Sequence, residues 1–277
     1  MTIKLNNYFD LDSTITCGQI FRYEIEEDNS YTVILPDRVI NVKKVDDELI
    51  VKSSNNDNLE EVILEYFDLK EDYESINKEI LKRDNDLKEV IDYSKGLKII
   101  NEPKFEAIIS YMLSTNNSVP NIKSALDHIS KRYGEKVLFE GKEYYLFPSR
   151  EALMEATPKE LREVKCGFRD QYIYDLIHSK LDVDLIDNMT TKEALDYLTS
   201  YKGIGIKVAS CILLFSYKKR DVFPVDTWVK KYMKDKYNIE GIDKINNFIY
   251  DKYGEYCGVV LQYIFNYNRN YRGWLWH

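Results

Sequence analysis

The feature that most constrains the fold is a change of hydrophobic period near residue 58. Residues 1 to about 55 are predicted to form antiparallel strands, because four short stretches rich in β-branched and aromatic residues are separated by turn signals: QIFRYEI, SYTVILP, RVINVKK and ELIVKSS. From Leu59 onward, NLEEVILEYF and most later segments repeat apolar residues at helical spacing. This segregation predicts an α+β protein, with an antiparallel sheet domain and flanking helices over 1–100 and a helical domain over 101–277.

One later segment, SVPNIKSALDHISKRYG, predicts a helix with both of its ends marked. Ser118 is a suitable N-cap, Pro120 fits the first turn, and Gly134 is suited to the position after the helix. The remaining C-terminal segments are expected to be helical with short turns, and no internal repeat or low-complexity linker interrupts them.

A glycine turn within KEALDYLTSYKGIGIKVASCILLFSY is the first functional candidate. Gly203 and Gly205 flank Ile204, and glycine permits a positive φ and a close approach of the backbone. The amides of the turn and the N-terminus of the next helix would form an anion site suited to a DNA phosphate. A G-x-G sequence alone favours an ordinary turn between two helices.

Lys207 and Asp226 make this turn more specific. Lys207 lies in the first turn of the second helix, where the helix dipole disfavours a cation. That field, together with partial burial, lowers the pKa of a lysine and favours the neutral amine needed for Schiff-base chemistry. Asp226 can cap the helix that begins at Thr227, and if it faces Lys207 it can stabilise positive charge on a sugar or an iminium.

The charge distribution is compatible with a DNA-binding surface although the chain as a whole is acidic. The formal net charge is −8, yet the segment 201–237 contains nine basic and three acidic residues. Such a separation produces a local cationic surface. A solvated lysine-rich surface explains the same pattern, so the charges by themselves do not decide between the two interpretations.

Cysteine usage and hydropathy argue against several other classes of protein. The four cysteines, Cys17, Cys166, Cys211 and Cys257, are far apart and form neither a disulfide framework nor a CxxC pair. The three histidines are also scattered, so we expect no catalytic metal and no organic cofactor. No run of about 18 apolar residues and no signal peptide occurs, which predicts a cytoplasmic protein without a membrane partner.

The segments GIGIKVA and FPVDTW together resemble the helix-hairpin-helix and the following Gly/Pro-Asp loop of the DNA glycosylase superfamily. Four further blocks resemble 8-oxoguanine DNA glycosylase, in the order that this family has: CGQIFRY, STNNSVPNI, CGFRDQY and YGEYCGVVLQYIF. Lysine at position 207 resembles the bifunctional members, while the lack of an iron–sulfur ligand set disfavours the endonuclease III and adenine glycosylase branches. The resemblance implies a TBP-like N-terminal sheet domain before the helical domain.

This resemblance implies a bifunctional DNA glycosylase and AP lyase that excises 8-oxoguanine from duplex DNA in base excision repair. The damaged nucleoside would be flipped into a pocket. Lys207 would attack C1′ of the sugar, release the base and hold the sugar as an imine before β-elimination, while Asp226 would stabilise the positive sugar. The enzyme would act as a monomer without a cofactor, and a monovalent or calcium ion on the carbonyls of Thr199, Tyr201 and Ile204 would be compatible with it.

The same resemblance assigns residues to the damaged base and to its opposite base. The carbonyl of Gly18 would accept the N7–H that 8-oxoguanine has and guanine lacks, a difference worth about 1–3 kcal/mol. The base pocket would consist of Gly18, Cys211, Pro224, Leu261 and Phe265. The duplex and the estranged cytosine would be contacted by Asn116, Asn117, the aromatic wedge Phe168, Arg169, Gly203, Gly205 and Trp228.

Three positions depart from the pattern of the family. Asn121 replaces a second cytosine-reading arginine of the eukaryotic enzymes, which predicts weaker discrimination of the opposite base. Leu261 stands where a glutamine usually meets the Watson–Crick edge of the base, and Gln262 is one residue away, about 100° around a helix. Trp228 replaces a histidine near a phosphate, although its indole N–H can still donate.

Two alternatives stay open on the sequence. An alkylated-base DNA glycosylase would belong to the same superfamily, but Lys207 is not expected in such an enzyme. A non-enzymatic helix-hairpin-helix DNA-binding module would explain the basic segment, Gly203 and Gly205. It would not explain Lys207, Asp226 and the Gly18 block together.

Overall fold

The N-terminal part of the chain contains a five-stranded antiparallel sheet in the order β1-β5-β4-β3-β2. The computed structural model describes residues 1–5 and 8–272. The strands are β1 (Thr2–Lys4), β2 (Tyr23–Ile25), β3 (Tyr31–Ile34), β4 (Val39–Val45) and β5 (Glu48–Ser53). Three of them, β2, β3 and β5, fall within the predicted stretches, although β2 is shorter than the stretch QIFRYEI, and β4 extends one residue beyond RVINVKK. The edge strand β1 was not predicted, and it pairs with β5, with Thr2 opposite Ile50.

Two helices pack on the sheet, α1 (Leu11–Thr16) and α2 (Leu59–Tyr66). Their apolar residues join the strands in one core cluster that also contains Val42 and Ile100. The expectation that residues 1 to about 55 form only strands is wrong at α1. Its start is marked by Asp10, whose Oδ1 accepts the N–H of Ser13 at 2.6 Å, as an N-cap does.

The rest of the described chain is mainly helical. Its helices are α3 (Tyr73–Arg83), α4 (Lys88–Tyr93), α5 (Lys104–Ser114), α6 (Val119–Tyr133), α7 (Arg150–Leu153), α8 (Pro158–Leu161), α9 (Asp170–Ile177), α10 (Thr191–Thr199), α11 (Ile206–Ser216), α12 (Thr227–Tyr237), α13 (Ile242–Tyr253) and α14 (Cys257–Asn266). Short 3-10 or π-helical segments lie at Asn85–Leu87, Arg162–Cys166, Gly167–Arg169, Leu185–Asn188, Gly254–Tyr256 and Tyr267–Arg272. None of the helices in the described ranges is both long and apolar enough to cross a membrane.

A β-hairpin interrupts this helical part and corrects the expectation of helices alone. Strands β6 (Lys136–Phe139) and β7 (Lys142–Tyr145) are joined by Glu140 and Gly141, which have φ values of 48° and 82°. The preceding helix α6 begins directly after Ser118, as predicted, but the Ser118 side chain makes no capping hydrogen bond. At its other end, the N–H of Gly134 closes the helix onto the carbonyl of Ser130 at 2.8 Å.

The helices enclose a second and larger core cluster. Buried residues of α3 and α4, such as Ile80 and Val90, belong to this cluster rather than to the core under the sheet. The two parts are also tied together by an ion pair of Arg22 with Glu106, at 3.2 Å. The domain boundary at residue 100 stays a prediction.

Candidate active site

A cavity of about 200 Å³ lies between the loop after α1 and the helices α5, α6, α11 and α14. Its lining brings together eight of the residues chosen from the sequence: Gly18, Asn117, Lys207, Cys211, Pro224, Asp226, Leu261 and Phe265. Both residues with a predicted catalytic role and all five predicted base-pocket residues therefore meet in one place.

Lys207 lies in the first turn of α11, and its side chain is exposed. The partial burial expected from the sequence is therefore wrong for the protein without DNA. Among the residues that the structure describes, none holds Lys207 in a hydrogen bond or ion pair. Its charge acts at longer range on Cys211 and Asp226, so the amine borders the cavity without a committed partner.

Asp226 combines a structural contact with a place in the cavity wall. Its Oδ1 accepts the N–H of Val229 at 2.8 Å, so the predicted N-cap of α12 is confirmed. Burial raises the pKa of Asp226, whereas the bond from Val229 and the charge of Lys207 lower it. The carboxyl group is held in place by the cap and still faces the cavity that Lys207 borders.

The two glycines of the hairpin between α10 and α11 have different reasons to be glycine. Gly203 has a φ of 89°, and a side-chain carbon there would lie 2.9 Å from Cβ of Tyr172. Gly205 has extended backbone angles and open space where its side-chain carbon would be. Gly203 is therefore required by the turn, while Gly205 leaves room for an anion at the N-terminus of α11.

The cation predicted near this hairpin stays a prediction. The carbonyl of Tyr201 accepts the N–H of Ile204 at 3.2 Å and keeps a second lone pair for such an ion. Elsewhere in the described ranges, no group of three or more metal-binding side chains occurs.

Hydrogen bonds fix the loop that carries Gly18, whose φ is 89°. The Gln19 side chain donates to the carbonyls of Thr14 and Lys98 at 2.7 and 2.8 Å and accepts the N–H of Ile100 at 3.0 Å. From the other side, the hydroxyl of Tyr111 donates to the carbonyl of Gln19 at 2.9 Å. Gly18 is thus held at the cavity wall before any ligand arrives.

Sequence reasoning predicted Phe265 but missed three other aromatic residues of the cavity wall. The rings of Tyr111 and Phe215 stack with centroids 5.6 Å apart, and Phe21 meets Tyr111 edge to face at 5.8 Å. All three residues line the cavity. Their apolar spacing on helices, or the short block around Phe21, indicates burial but does not indicate which cavity a ring faces.

Helices α11 and α14 both contribute side chains to the cavity wall. Burial raises the pKa of Cys211 to about 12, so its thiol is neutral at physiological pH. On α14, Leu261 and Phe265 lie one turn apart and both line the cavity. The amide of Gln262 is buried and its Nε2 donates to Sγ of Cys17 at 3.0 Å, so this amide is committed to a protein partner.

The residues assigned to the opposite base lie at the edge of the cavity or beyond it. Asn117 lines the cavity, and its Nδ2 donates to the carbonyl of Leu113 at 3.0 Å. Asn116 is exposed with a φ of 49°. Arg169 is buried and donates to the carbonyls of Thr115 and Asn116, so it ties two loops together.

Phe168 is 59% exposed and lies under the Arg169 guanidinium, whose Cζ is 4.2 Å from the ring centroid. Two further residues lie outside the cavity wall, since Trp228 is half-buried in the first turn of α12 and Asn121 is exposed in the first turn of α6. An exposed aromatic ring such as Phe168 is compatible with a wedge in DNA.

Known proteins are similar to this chain in both sequence and fold. A family model for the N-terminal domain of 8-oxoguanine DNA glycosylase matches residues 2–108. The structure of MBOgg1 in complex with a low-affinity DNA ligand has 34% identity and a TM-score of 0.94, covering 98% of this chain and 96% of that one. The Clostridium acetobutylicum 8-oxoguanine glycosylase/lyase, in complex with duplex DNA containing cytosine opposite 8-oxoguanine, has 35% identity and a TM-score of 0.91, covering 98% of each chain. A probable N-glycosylase/DNA lyase of Methanothermobacter thermautotrophicus is 29% identical over 236 residues, which are 76% of this chain and 75% of the relative. This chain belongs to the 8-oxoguanine DNA glycosylase family.

Proposed function

We propose that this chain excises 8-oxoguanine from duplex DNA and then nicks the strand as an AP lyase, in base excision repair. The observation that carries the proposal is one cavity that holds a lysine without a committed partner, a fixed carboxyl group and largely apolar walls. A base flipped out of the stack needs such a pocket. The Clostridium acetobutylicum 8-oxoguanine glycosylase/lyase supports the choice of substrate, and the probable N-glycosylase/DNA lyase of Methanothermobacter thermautotrophicus supports the two activities.

Lys207 supplies the nucleophile in this mechanism. Its neutral amine attacks C1′ of the damaged nucleotide, and as this bond forms the C1′–N9 bond breaks with its electron pair leaving on the base, which takes up a proton. Transfer of a proton from this nitrogen to the ring oxygen O4′ opens the sugar ring and leaves the protonated imine, an iminium. Removal of a proton from C2′ then expels the 3′-phosphate and nicks the strand.

Asp226 stabilises the positive charge that develops on the sugar during attack. The N-cap bond to Val229 holds the carboxylate in place before the reaction, so little reorganisation is needed at the transition state. The same charge stabilises the iminium that links Lys207 to the sugar. The structural and the catalytic role of Asp226 are therefore compatible.

The cavity walls receive the base between Cys211 and Phe265, with the carbonyl of Gly18 accepting N7–H. The neutral thiol of Cys211 and the aromatic rings of Phe21, Tyr111 and Phe215 offer a polarisable and mostly apolar surface to a flat base. The open space at Gly205 and the N-terminus of α11 suit a backbone phosphate of the same strand.

Borohydride trapping on duplex DNA with a single 8-oxoguanine tests the proposal. The wild-type protein is expected to form a covalent adduct on the damaged strand, because borohydride reduces the imine. Lys207→Gln should abolish the adduct and lower base release at least ~10⁴-fold, since it removes the nucleophile. Lys202→Gln is the matched control, because Lys202 is an exposed lysine of the same hairpin outside the cavity lining.

Undamaged and alkylated duplexes complete the experiment. Base release from alkylated DNA without an adduct would favour the alkylated-base glycosylase. Tight DNA binding without any base release, unchanged in Lys207→Gln, would favour the non-enzymatic binding module. Either result would overturn the proposed function.

A further inference from the structure

Arg269 places an unpaired hydrogen-bond donor beside the cavity. Its Nη1 is buried and has no hydrogen-bond partner in the described part of the chain. A side-chain carbon built on Gly18 would overlap this Nη1 and would lie 3.4 Å from Cε1 of Phe265. The guanidinium carbon is 5.9 Å from the centroid of the Phe265 ring. The guanidinium therefore adjoins two residues of the cavity wall.

The position of Arg269 along the chain also directs it toward the cavity. Leu261, Phe265 and Arg269 are four residues apart on α14 and the π-helical segment that follows, so they share one face. The first two line the cavity. Arg269 is the next residue of this face, and it is the first of the three that carries a hydrogen-bond donor.

The other α14 residues that line the cavity, Leu261, Gln262 and Phe265, carry no charge. Leu261 has no polar side-chain atom, and Nε2 of Gln262 already donates to Cys17. A buried guanidinium N–H without an acceptor is unfavourable, so a ligand that brings an acceptor to this point gains a charge-assisted hydrogen bond. Arginine has donors only, so the ligand atom must be an acceptor.

We propose that Arg269 is a specificity-determining residue that donates a hydrogen bond to the C8 carbonyl oxygen of 8-oxoguanine. The proposal rests on the proposed function, in which the carbonyl of Gly18 accepts N7–H. In 8-oxoguanine, N7–H and C8=O are neighbouring groups, one donor and one acceptor, and guanine has neither. Gly18 and Nη1 of Arg269 lie next to each other, and they carry a backbone acceptor and a side-chain donor, respectively.

Single-turnover kinetics of Arg269→Met on two substrates test this role. Methionine keeps part of the unbranched stem but removes every donor. Base excision from 8-oxoguanine DNA should fall roughly 10- to 100-fold, the size expected for one charge-assisted hydrogen bond. Strand cleavage at a preformed abasic site should stay within about twofold, because that substrate has no base and Lys207 is intact.

A base analogue separates recognition of the C8 oxygen from a general loss of base binding. In 8-thioguanine, N7–H is kept but a sulfur atom, which is a weaker acceptor, replaces the oxygen. The wild-type enzyme should excise it more slowly than 8-oxoguanine, whereas Arg269→Met should process the two at nearly equal rates. Arg269→Lys keeps a cationic donor and should retain part of the wild-type preference. Arg132→Met controls for the lost charge, since Arg132 pairs with Glu160 and Glu163 away from the cavity.

Each outcome has a distinct meaning. Unchanged excision of 8-oxoguanine by Arg269→Met would overturn the role of Arg269 and leave the proposed function standing. An undiminished preference of this variant for 8-oxoguanine over 8-thioguanine would have the same meaning. Equal losses of excision and abasic-site cleavage in both Arg269 variants would also overturn it, since Arg269 would then support the fold. A wild-type protein that releases no 8-oxoguanine would instead refute the proposed function.

Discussion

On the lesion side of the cavity, Gln19 and Tyr111 hold the Gly18 loop through four hydrogen bonds, and Asp226 is fixed as the cap of α12. On the side assigned to the opposite base, Asn116 and Phe168 are exposed, and the guanidinium of Arg169 already donates to the carbonyls of Thr115 and Asn116. In the proposed mechanism, catalysis and lesion recognition depend on groups placed before binding, because a fixed dipole costs little reorganisation. The same proposal leaves the contacts to the opposite base to a surface that DNA completes.

This contrast predicts steep losses on the lesion side and modest, tunable changes on the other. The largest effect after the loss of Lys207 is expected for Asp226→Asn. Asparagine still caps a helix, so the free energy of unfolding should change by less than about 1 kcal/mol. Base excision should fall about 10²- to 10³-fold, because the negative charge near the sugar is gone. Single-turnover excision and urea unfolding measure the two effects.

The pH dependence of excision tests the Asp226→Asn substitution in a second way. Burial raises the pKa of Asp226, so wild-type excision should decline on the acid side at a higher pH than an ordinary aspartate would cause. Asp226→Asn should lack this acid limb. Wild-type excision rates in Asp226→Asn at neutral pH would show that the carboxylate serves only as a cap.

The second effect in size is expected for Gly18→Ala. Gly18 has a φ of 89°, so the backbone strain of an alanine should by itself lower the free energy of unfolding by about 1–2 kcal/mol. The added carbon would also overlap Arg269. Excision of 8-oxoguanine should fall roughly 10- to 100-fold because the base-recognising wall moves. Cleavage of a preformed abasic site should be largely kept.

Gly141→Ala is the matched control for this strain. Gly141 has a φ of 82° in the turn between β6 and β7, with open space where its side-chain carbon would be. It should lose a similar amount of stability and keep full excision. If Gly141→Ala lost excision to the same extent, the effect of Gly18→Ala would reflect stability and not the cavity wall.

On the side assigned to the opposite base, we expect a smaller effect, which is weak discrimination among the four opposite bases. A substitution at Asn121 should increase this discrimination. Because Asn121 is exposed and the nearby Arg169 is bound to backbone carbonyls, the wild-type enzyme should discriminate weakly among C, A, G and T opposite the lesion. Asn121→Arg should raise the preference for cytosine about tenfold, since a bidentate contact is worth about 1–3 kcal/mol.

Asn121→Lys separates geometry from charge, because lysine adds the same charge without the planar fork. It should strengthen binding to all four duplexes alike. A wild-type preference for cytosine that is already strict, or equal preferences in the two variants, would contradict this view of the opposite-base surface.

Local signals were enough to predict the parts of the fold whose ends are marked in the chain. The glycine turn, the N-cap of α12 at Asp226 and the helix after Ser118 follow from single residues with a known backbone preference. Strand β1 could not be predicted in this way, because three residues form a strand only when they pair with β5 far along the chain. The turn of the β6–β7 hairpin is formed by Glu140-Gly141, a weaker signal than Asn-Gly.

The cavity shows the same limit at the level of side chains. The members with a distinctive chemistry or motif, Gly18, Lys207 and Asp226, could be chosen from the sequence. Tyr111 and Phe215 could not, because an apolar helical stripe indicates burial and not the neighbour that a ring will meet. The exposure of Lys207 also escaped prediction, since burial depends on the loops that pack around the hairpin.

The smallest effect on activity, together with a measurable effect on stability, is expected from Glu102, which lies between helices α4 and α5. Ser216, at the end of α11, donates to the carbonyl of Glu102 at 2.6 Å, and the Tyr66 hydroxyl donates to the Glu102 carboxyl at 2.6 Å. Burial, and next the charge of Glu106, raise the pKa of Glu102 from its ordinary value of 4.5 to about 8. Between these two values the folded protein holds a proton that the unfolded chain has released. Stability should therefore fall as the pH rises from 4.5 to 8, by about 1.4 kcal/mol per pH unit at most, and level off above that window.

Glu102→Gln should flatten this dependence, since a glutamine can still accept from Tyr66 but does not titrate. Urea unfolding at pH 5, 6, 7 and 8 measures it, with Glu60→Gln, an exposed glutamate in the first turn of α2, as the control that should keep the wild-type slope. Excision at pH 7 should stay within about twofold, because Glu102 does not line the cavity. The substitution should change the free energy of unfolding and leave the cavity residues in place. A wild-type stability that is level from pH 5 to 8 would mean that Glu102 is already ionised in the folded protein. Helix α11 would then end beside a half-buried carboxylate, which the charge of Arg22 would have to stabilise.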